Sequence, residues 1–160
     1  MTALLHVLLV EDSAADARLV QEELRDAAPG EVTLTRATTA AAAAERLAAE
    51  HVDCVLLDLS LPDAQELGAI DTLRAVAPDT PIVVLSGLAA DALAVQAVGA
   101  GAQDYLIKGE APGPLLVRAI RYAIERKAGE RPCPACRPRG AAGRRRRPAA
   151  RRPRGARGSR

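Results

Sequence analysis

The stretch Asp53-Cys54-Val55-Leu56-Leu57-Asp58-Leu59-Ser60-Leu61-Pro62-Asp63 places an unbroken apolar run between two acids and closes near a proline. Such a run is too short for a buried helix, and its lack of alternation is the pattern of a parallel strand covered on both faces. A parallel strand reaches its neighbour only through a crossover of about a dozen or more residues, never through a tight hairpin. Comparable runs recur at crossover distance on both sides: His6 to Val10, Val32 to Thr35, Ile82 to Leu85, and Tyr105 to Ile107. With Val7, Val32, Val55, Val83 and Leu106 as markers, the spacings are 25, 23, 28 and 23 residues.

The gaps carry helical periodicity. Ala17, Val20 and Leu24 fall at i, i+3 and i+7, as do Ile70, Leu73 and Ala77, and Val117, Ile120 and Ile124 after Pro112 and Pro114. Ser13, with Asp16 three residues on, reads as an N-terminal cap, and Thr38 or Thr39 starts the Ala40 to Ala49 stretch. Gly99 and Gly101 end the fourth helix. Five β-α units follow. Val32-Thr33-Leu34-Thr35 alternates, unlike the first, third and fourth runs, and so belongs at an edge. These features predict an α/β fold: an open, doubly wound parallel sheet with strand order 2-1-3-4-5, whose ligands bind at the carboxyl ends near the order reversal.

The residues expected at those carboxyl ends carry the chemistry. The first strand runs into Glu11-Asp12, the third into Asp58, the fourth into Ser86-Gly87 and the fifth into Lys108-Gly109. The second ends in Arg36-Ala37-Thr38, which lies outside the cluster on this reading. Three carboxylates on one rim repel one another unless a pKa rises or a cation enters. Mg²⁺ takes one or two carboxylates, waters and a phosphate oxygen, which suits Glu11, Asp12 and Asp58. A lysine and a hydroxyl are what a phosphoryl group with charge on its equatorial oxygens requires, and Asp58 is the candidate nucleophile.

With those residues in view, the chain resembles the receiver domain of bacterial two-component response regulators. The matching text is Val7 to Ser13, Asp53 to Asp63, Pro81 to Gly87 and Gly101 to Lys108, within about residues 4 to 127. The resemblance implies a flavodoxin-like fold, with Asp58 accepting phosphoryl from a histidine kinase or phosphotransfer protein. It further implies Mg²⁺ held by Glu11, Asp12, Asp58 and the backbone carbonyl of Ser60. Ser86 and Lys108 would bind phosphoryl oxygens, and Tyr105 would turn inward as Ser86 moves. The switched surface would be the fourth helix, fifth strand and fifth helix, through which a homodimer could form. Two departures stand out. Receivers usually follow this lysine with proline, often in a cis bond, whereas here Gly109 follows and leaves the lysine loop freer. After Pro62, glycine comes later than usual, at Gly68.

Two other functions on similar chemistry fit less well. An aspartate-nucleophile phosphohydrolase usually has a second aspartate two residues beyond the first, where this chain has Ser60. A flavin site would need a hydroxyl- and glycine-rich phosphate loop in place of Glu11-Asp12. His6 reads as packing, His51 as solvated, and Asp63, Asp91 and Asp104 as loop acids or caps. Cys54 reads as a buried thiol, and Cys133-Pro134-Ala135-Cys136 lacks the second ligand pair a structural zinc needs.

Composition sets the outer bounds. The 160 residues are 49% hydrophobic and 26% charged, with no Phe, no Trp and two Tyr, which argues against reading bases or sugars by stacking. No apolar run approaches the roughly 18 residues of a membrane span, so a cytoplasmic, non-transmembrane protein is expected. Residues 129–160 hold 12 Arg and one acid, a net +11, which leaves −9 for residues 1–128. The expected organisation is a receiver at 1–127 and a disordered Arg/Pro/Ala/Gly-rich tail at 128–160. The tail reads as a nonspecific contact for nucleic acid or an acidic surface. Its residue types can all be encoded by GC-rich codons, so it reads equally as an out-of-frame or truncated remnant.

Overall fold

The computed structural model describes residues 3–65, 67–87 and 91–130. Within them, five strands alternate with five helices. The strands are β1 (Leu5–Val10), β2 (Val32–Ala37), β3 (Cys54–Asp58), β4 (Ile82–Ser86) and β5 (Asp104–Ile107). The helices are α1 (Ala14–Ala27), α2 (Ala40–Ala49), α3 (Gly68–Val76), α4 (Asp91–Gly99) and α5 (Gly113–Glu130). All strand pairs are parallel and the order is β2-β1-β3-β4-β5, with the alternating strand at the edge as its sequence requires. Helix α5 continues to Glu130, past the boundary expected at 127. The Arg-rich segment from 131 on, with Cys133 and Cys136, lies outside the described residues, as does Glu66.

The sheet is covered on both faces, which explains its unbroken apolar strands. Leu8, Val10, Val55, Leu57, Ile82 and Val84 pack toward α2, α3 and α4. Val7, Leu9, Cys54, Leu56, Val83 and Leu85 pack toward α1 and α5. Helix α1 buries Ala17, Val20 and Leu24, the stripe its period predicted. Its cap forms as expected, with the Ser13 hydroxyl accepting from Asp16 N at 3.3 Å, and Thr39 caps α2 by accepting from Ala42 N at 3.1 Å. Helices α1 and α5 approach so closely at Gly113 that a Cβ there would collide with the Glu23 carbonyl, and Gly113 N donates to the Glu23 carboxylate at 2.6 Å.

Register then fixes the rim. Val10 is level with Leu57, Asp58 with Leu85, and Ser86 with Ile107. The next residues of β1 and β5, Glu11 and Lys108, therefore stand beside the ends of β3 and β4. Alternation adds a side: Leu9, Leu56 and Leu106 face α1 and α5, so Glu11, Asp58 and Lys108, each two residues on, start from that same face.

Candidate phosphoacceptor site

Glu11, Asp12 and Asp58 each offer a carboxylate oxygen, and these atoms lie within 4.8 Å of one another. Glu11 and Asp58 are buried, at 1% and 2% exposure, while Asp12 is exposed. This all-oxygen set, open on one side, fits a hard divalent cation that keeps part of its water shell. Lys108 supplies the counter-charge to these acids. Its ammonium hydrogen-bonds the Glu11 carboxylate, lies 3.3 Å from Asp58 Oδ2 and donates to Asp16 Oδ2 at 3.1 Å.

Burial pushes the Glu11 carboxyl up from its usual range, and the charge of Asp58 adds to the rise. Hydrogen bonds from Lys108 and Ser13 N oppose it without cancelling it. For Lys108, burial pulls the ammonium down, but the bonds to Glu11 and Asp16 and the charges of Asp58 and Glu11 outweigh it, so the net direction is up. The lysine is therefore a fixed positive charge. Ser60 N donates to Asp58 Oδ1 at 3.2 Å, so the loop after β3 folds back over the acid.

Ser86 ends β4 and is buried at 4% exposure, and Tyr105 sits half-buried in β5 against the core on the α4 side. Lys108 N donates to the Ser86 carbonyl at 2.8 Å, which ties the lysine to β4. Gly109 has φ +80° and Glu110 N donates to the Ile107 carbonyl at 3.2 Å. That is the signature of a type II turn with glycine at its third position, where proline's fixed φ cannot go. The freedom expected of Gly109 is thus spent on a hydrogen-bonded turn, and no peptide bond among the described residues is cis.

Three side chains enter where the sequence reading had not put them. Arg36, expected outside the cluster, reaches from the edge strand to donate to the carbonyls of Glu11 (2.9 Å) and Asp12 (2.7 Å). Asp16, read as a capping residue, also binds Lys108. Asp63, read as a loop acid or cap, accepts from Ala40 N and Ala41 N at 3.0 Å each and so ties the loop after Asp58 to the start of α2. None of these three contacts left a signal in the sequence, because each joins residues more than twenty positions apart. Cys54 is fully buried and burial pushes its thiol up, so it is an inert core residue. Among the described residues no helix is long and apolar enough to cross a membrane.

Residues 7–120 match the response regulator receiver domain family. Over 100 residues the chain is 34% identical to the regulatory protein LuxO of Vibrio cholerae, which is 62% of this chain and 21% of that protein. Over 101 residues it is 29% identical to the chemotaxis protein CheY of Thermotoga maritima, covering 63% and 83%. The chain thus spans about a fifth of the first relative and most of the second. A response regulator from Burkholderia pseudomallei, solved with a phosphorylated aspartic acid, a calcium ion and citrate, is 27% identical. It superposes with a TM-score of 0.64 over 79% of this chain and 72% of that one. Fold, rim chemistry and family match coincide, and the chain belongs to the response regulator receiver domains, the phosphoacceptor modules of two-component signalling.

Proposed function

We propose that Asp58 is the phosphoacceptor and that Mg²⁺ is held by Glu11, Asp12, Asp58 and the Ser60 carbonyl. A sensor histidine kinase or phosphotransfer protein would supply the phosphoryl group to this cytoplasmic module. The supporting observation is the convergence of three carboxylates within 4.8 Å, with the Lys108 ammonium 3.3 Å from Asp58. When bound, the cation would neutralise charge on the incoming phosphoryl oxygens. A carboxylate oxygen of Asp58 forms the new P–O bond as the P–N bond of phosphohistidine breaks, and that bond's electrons stay on the imidazole. With a proton on the ring's other nitrogen, the imidazole leaves neutral. Lys108 keeps its proton throughout and serves as fixed charge, and the Ser86 hydroxyl donates to a phosphoryl oxygen.

Once Asp58 is modified, Ser86 moves toward the new charge and Tyr105 follows into the space beside β4. The readout is the surface of α4, β5 and α5, where Val95, Val98 and Tyr122 are exposed at 73%, 51% and 60%. A second copy or an effector would cover this apolar area. The receiver expected at 1–127 is extended to Glu130, where α5 ends.

The test is incubation with acetyl phosphate and Mg²⁺, read by intact mass. Wild type gains one phosphoryl group, and Asp58→Asn or EDTA abolishes the gain. Equal incorporation in wild type and Asp58→Asn would remove Asp58 from this role.

A further inference from the structure

We propose that Arg36 is a positioning residue for the cation site, acting through the backbone of Glu11 and Asp12 without touching the cation or the phosphoryl group. The inference rests on the reading of that acidic cluster as a Mg²⁺ site. Arg36 stands near the end of the edge strand β2, level with Leu9, and is half-buried. Its Nε donates to the Glu11 carbonyl at 2.9 Å and its Nη2 to the Asp12 carbonyl at 2.7 Å.

Those two carbonyls lie between two regular frameworks. The sheet's hold on this segment ends with Glu11 N, which donates to the Ala37 carbonyl at 2.9 Å. The helix begins with Ala17 N donating to the Ser13 carbonyl at 3.0 Å. A chain that must present two carboxylates in that interval needs its peptide planes fixed from outside. The planar fork of a guanidinium can hold two adjacent carbonyls at once, which a lysine's single nitrogen does with poorer geometry.

The consequence passes through one peptide plane. Because the Asp12–Ser13 peptide is planar and trans, its carbonyl and its N–H point in opposite directions. Arg36 takes the carbonyl, and the N–H of Ser13 is thereby aimed at Glu11 Oε1, to which it donates at 3.0 Å. Arg36 therefore sets the direction in which Asp12 leaves the backbone and also the donor that orients the Glu11 carboxylate. The two first-strand acids of the cluster are held from one side chain in the neighbouring strand.

Charge and position predict opposite signs, which makes the idea testable. A cation near a cation site weakens Mg²⁺ binding by repulsion, so deleting Arg36 for its charge alone would tighten it. Deleting it as a positioning group would weaken it. Mg²⁺ titrations of the full chain, followed by amide NMR shifts, would compare wild type with Arg36→Gln, Arg36→Lys and Asp12→Asn. Arg36→Gln is expected to bind Mg²⁺ about three- to tenfold more weakly, with unperturbed amides in β3 and β4 reporting an intact fold. Arg36→Lys keeps the charge but not the fork, and is expected to be weakened similarly. With acetyl phosphate, excess Mg²⁺ restores the phosphorylation rate of Arg36→Gln, because the reacting atoms are untouched. Unchanged or tighter binding in Arg36→Gln overturns the proposal, as does a rate that excess Mg²⁺ fails to restore. If instead wild type and Asp12→Asn bind Mg²⁺ alike, the cation-site reading itself has failed.

Discussion

The two rims of this sheet carry similar side chains under different constraints. At the amino rim, Asp53 accepts from His6 N at 2.8 Å through one oxygen and pairs with His51 Nε2 at 3.0 Å through the other. His6 is equally occupied, with Nδ1 on the His51 carbonyl and Nε2 on the Thr35 hydroxyl, both at 2.8 Å. At the carboxyl rim, Glu11, Asp16 and Asp58 crowd a single ammonium, and Asp12 stands beside them. On the first rim each oxygen of Asp53 and each ring nitrogen of His6 has its own partner. The other holds more negative charge than its lysine balances and is built to receive a cation. An acid's partners, more than its burial, separate structural from chemical work here.

The largest expected effect that tests this contrast is Lys108→Ala. It leaves Glu11 and Asp58 buried without their counter-charge, and should cost roughly 3 kcal/mol in urea unfolding at neutral pH without metal. Millimolar Mg²⁺ should recover much of that loss by substituting for the ammonium. A variant as stable as wild type in EDTA would mean that the lysine does not balance the rim.

Asp53→Ala probes the opposite rim. Removing the carboxylate leaves the His6 N–H and the His51 ring without their acceptor, so a loss of about 1–3 kcal/mol is expected in the same unfolding measurement. Phosphoryl incorporation from acetyl phosphate should match wild type once both are folded. A large drop in incorporation would break the division between the rims.

Asp63→Ala gives the smallest effect and sharpens the border between them. As a cap on α2 the exposed carboxylate should contribute about 1 kcal/mol after solvent screening. The hydrogen bonds from Ala41 N and Ala40 N hold its carboxyl below the usual range. Its contribution is therefore complete above the unfolded value near 3.9 and fades as pH falls through the lower folded value. The stability gap between wild type and Asp63→Ala should be flat from roughly pH 7 to 5 and close on further acidification. A gap that persists unchanged in acid would show that the cap is not carboxylate-dependent.

Much of the fold was legible because strand runs and helix stripes are local patterns. Cys54 to Leu57 declares a doubly covered strand, and the alternation of Val32 to Thr35 declares an edge. The rim residues were legible for a related reason: each lies at or just past the carboxyl end of its strand, so naming the strands names the rim. Arg36 shows where that logic stops. Its strand does end outside the cluster, but a long side chain on an edge strand can cross to the next loop, and the chain text carries no sign of it. Asp16 escaped similarly, since the cap position it occupies says nothing of Lys108, 92 residues away.

By itself the sequence determined the alternation of strands and helices, the strand order and which acids, hydroxyl and amine share a rim, because burial periodicity and chain direction are written residue by residue. The tertiary structure alone decided the partners: that Lys108 serves three carboxylates, that Gly109 closes a type II turn, and that Arg36 and Asp63 brace the two acidic loops. The physical reason is range. Periodicity is set by neighbours a few residues apart, whereas a hydrogen bond or ion pair forms only between groups that packing brings within about 3 Å of each other.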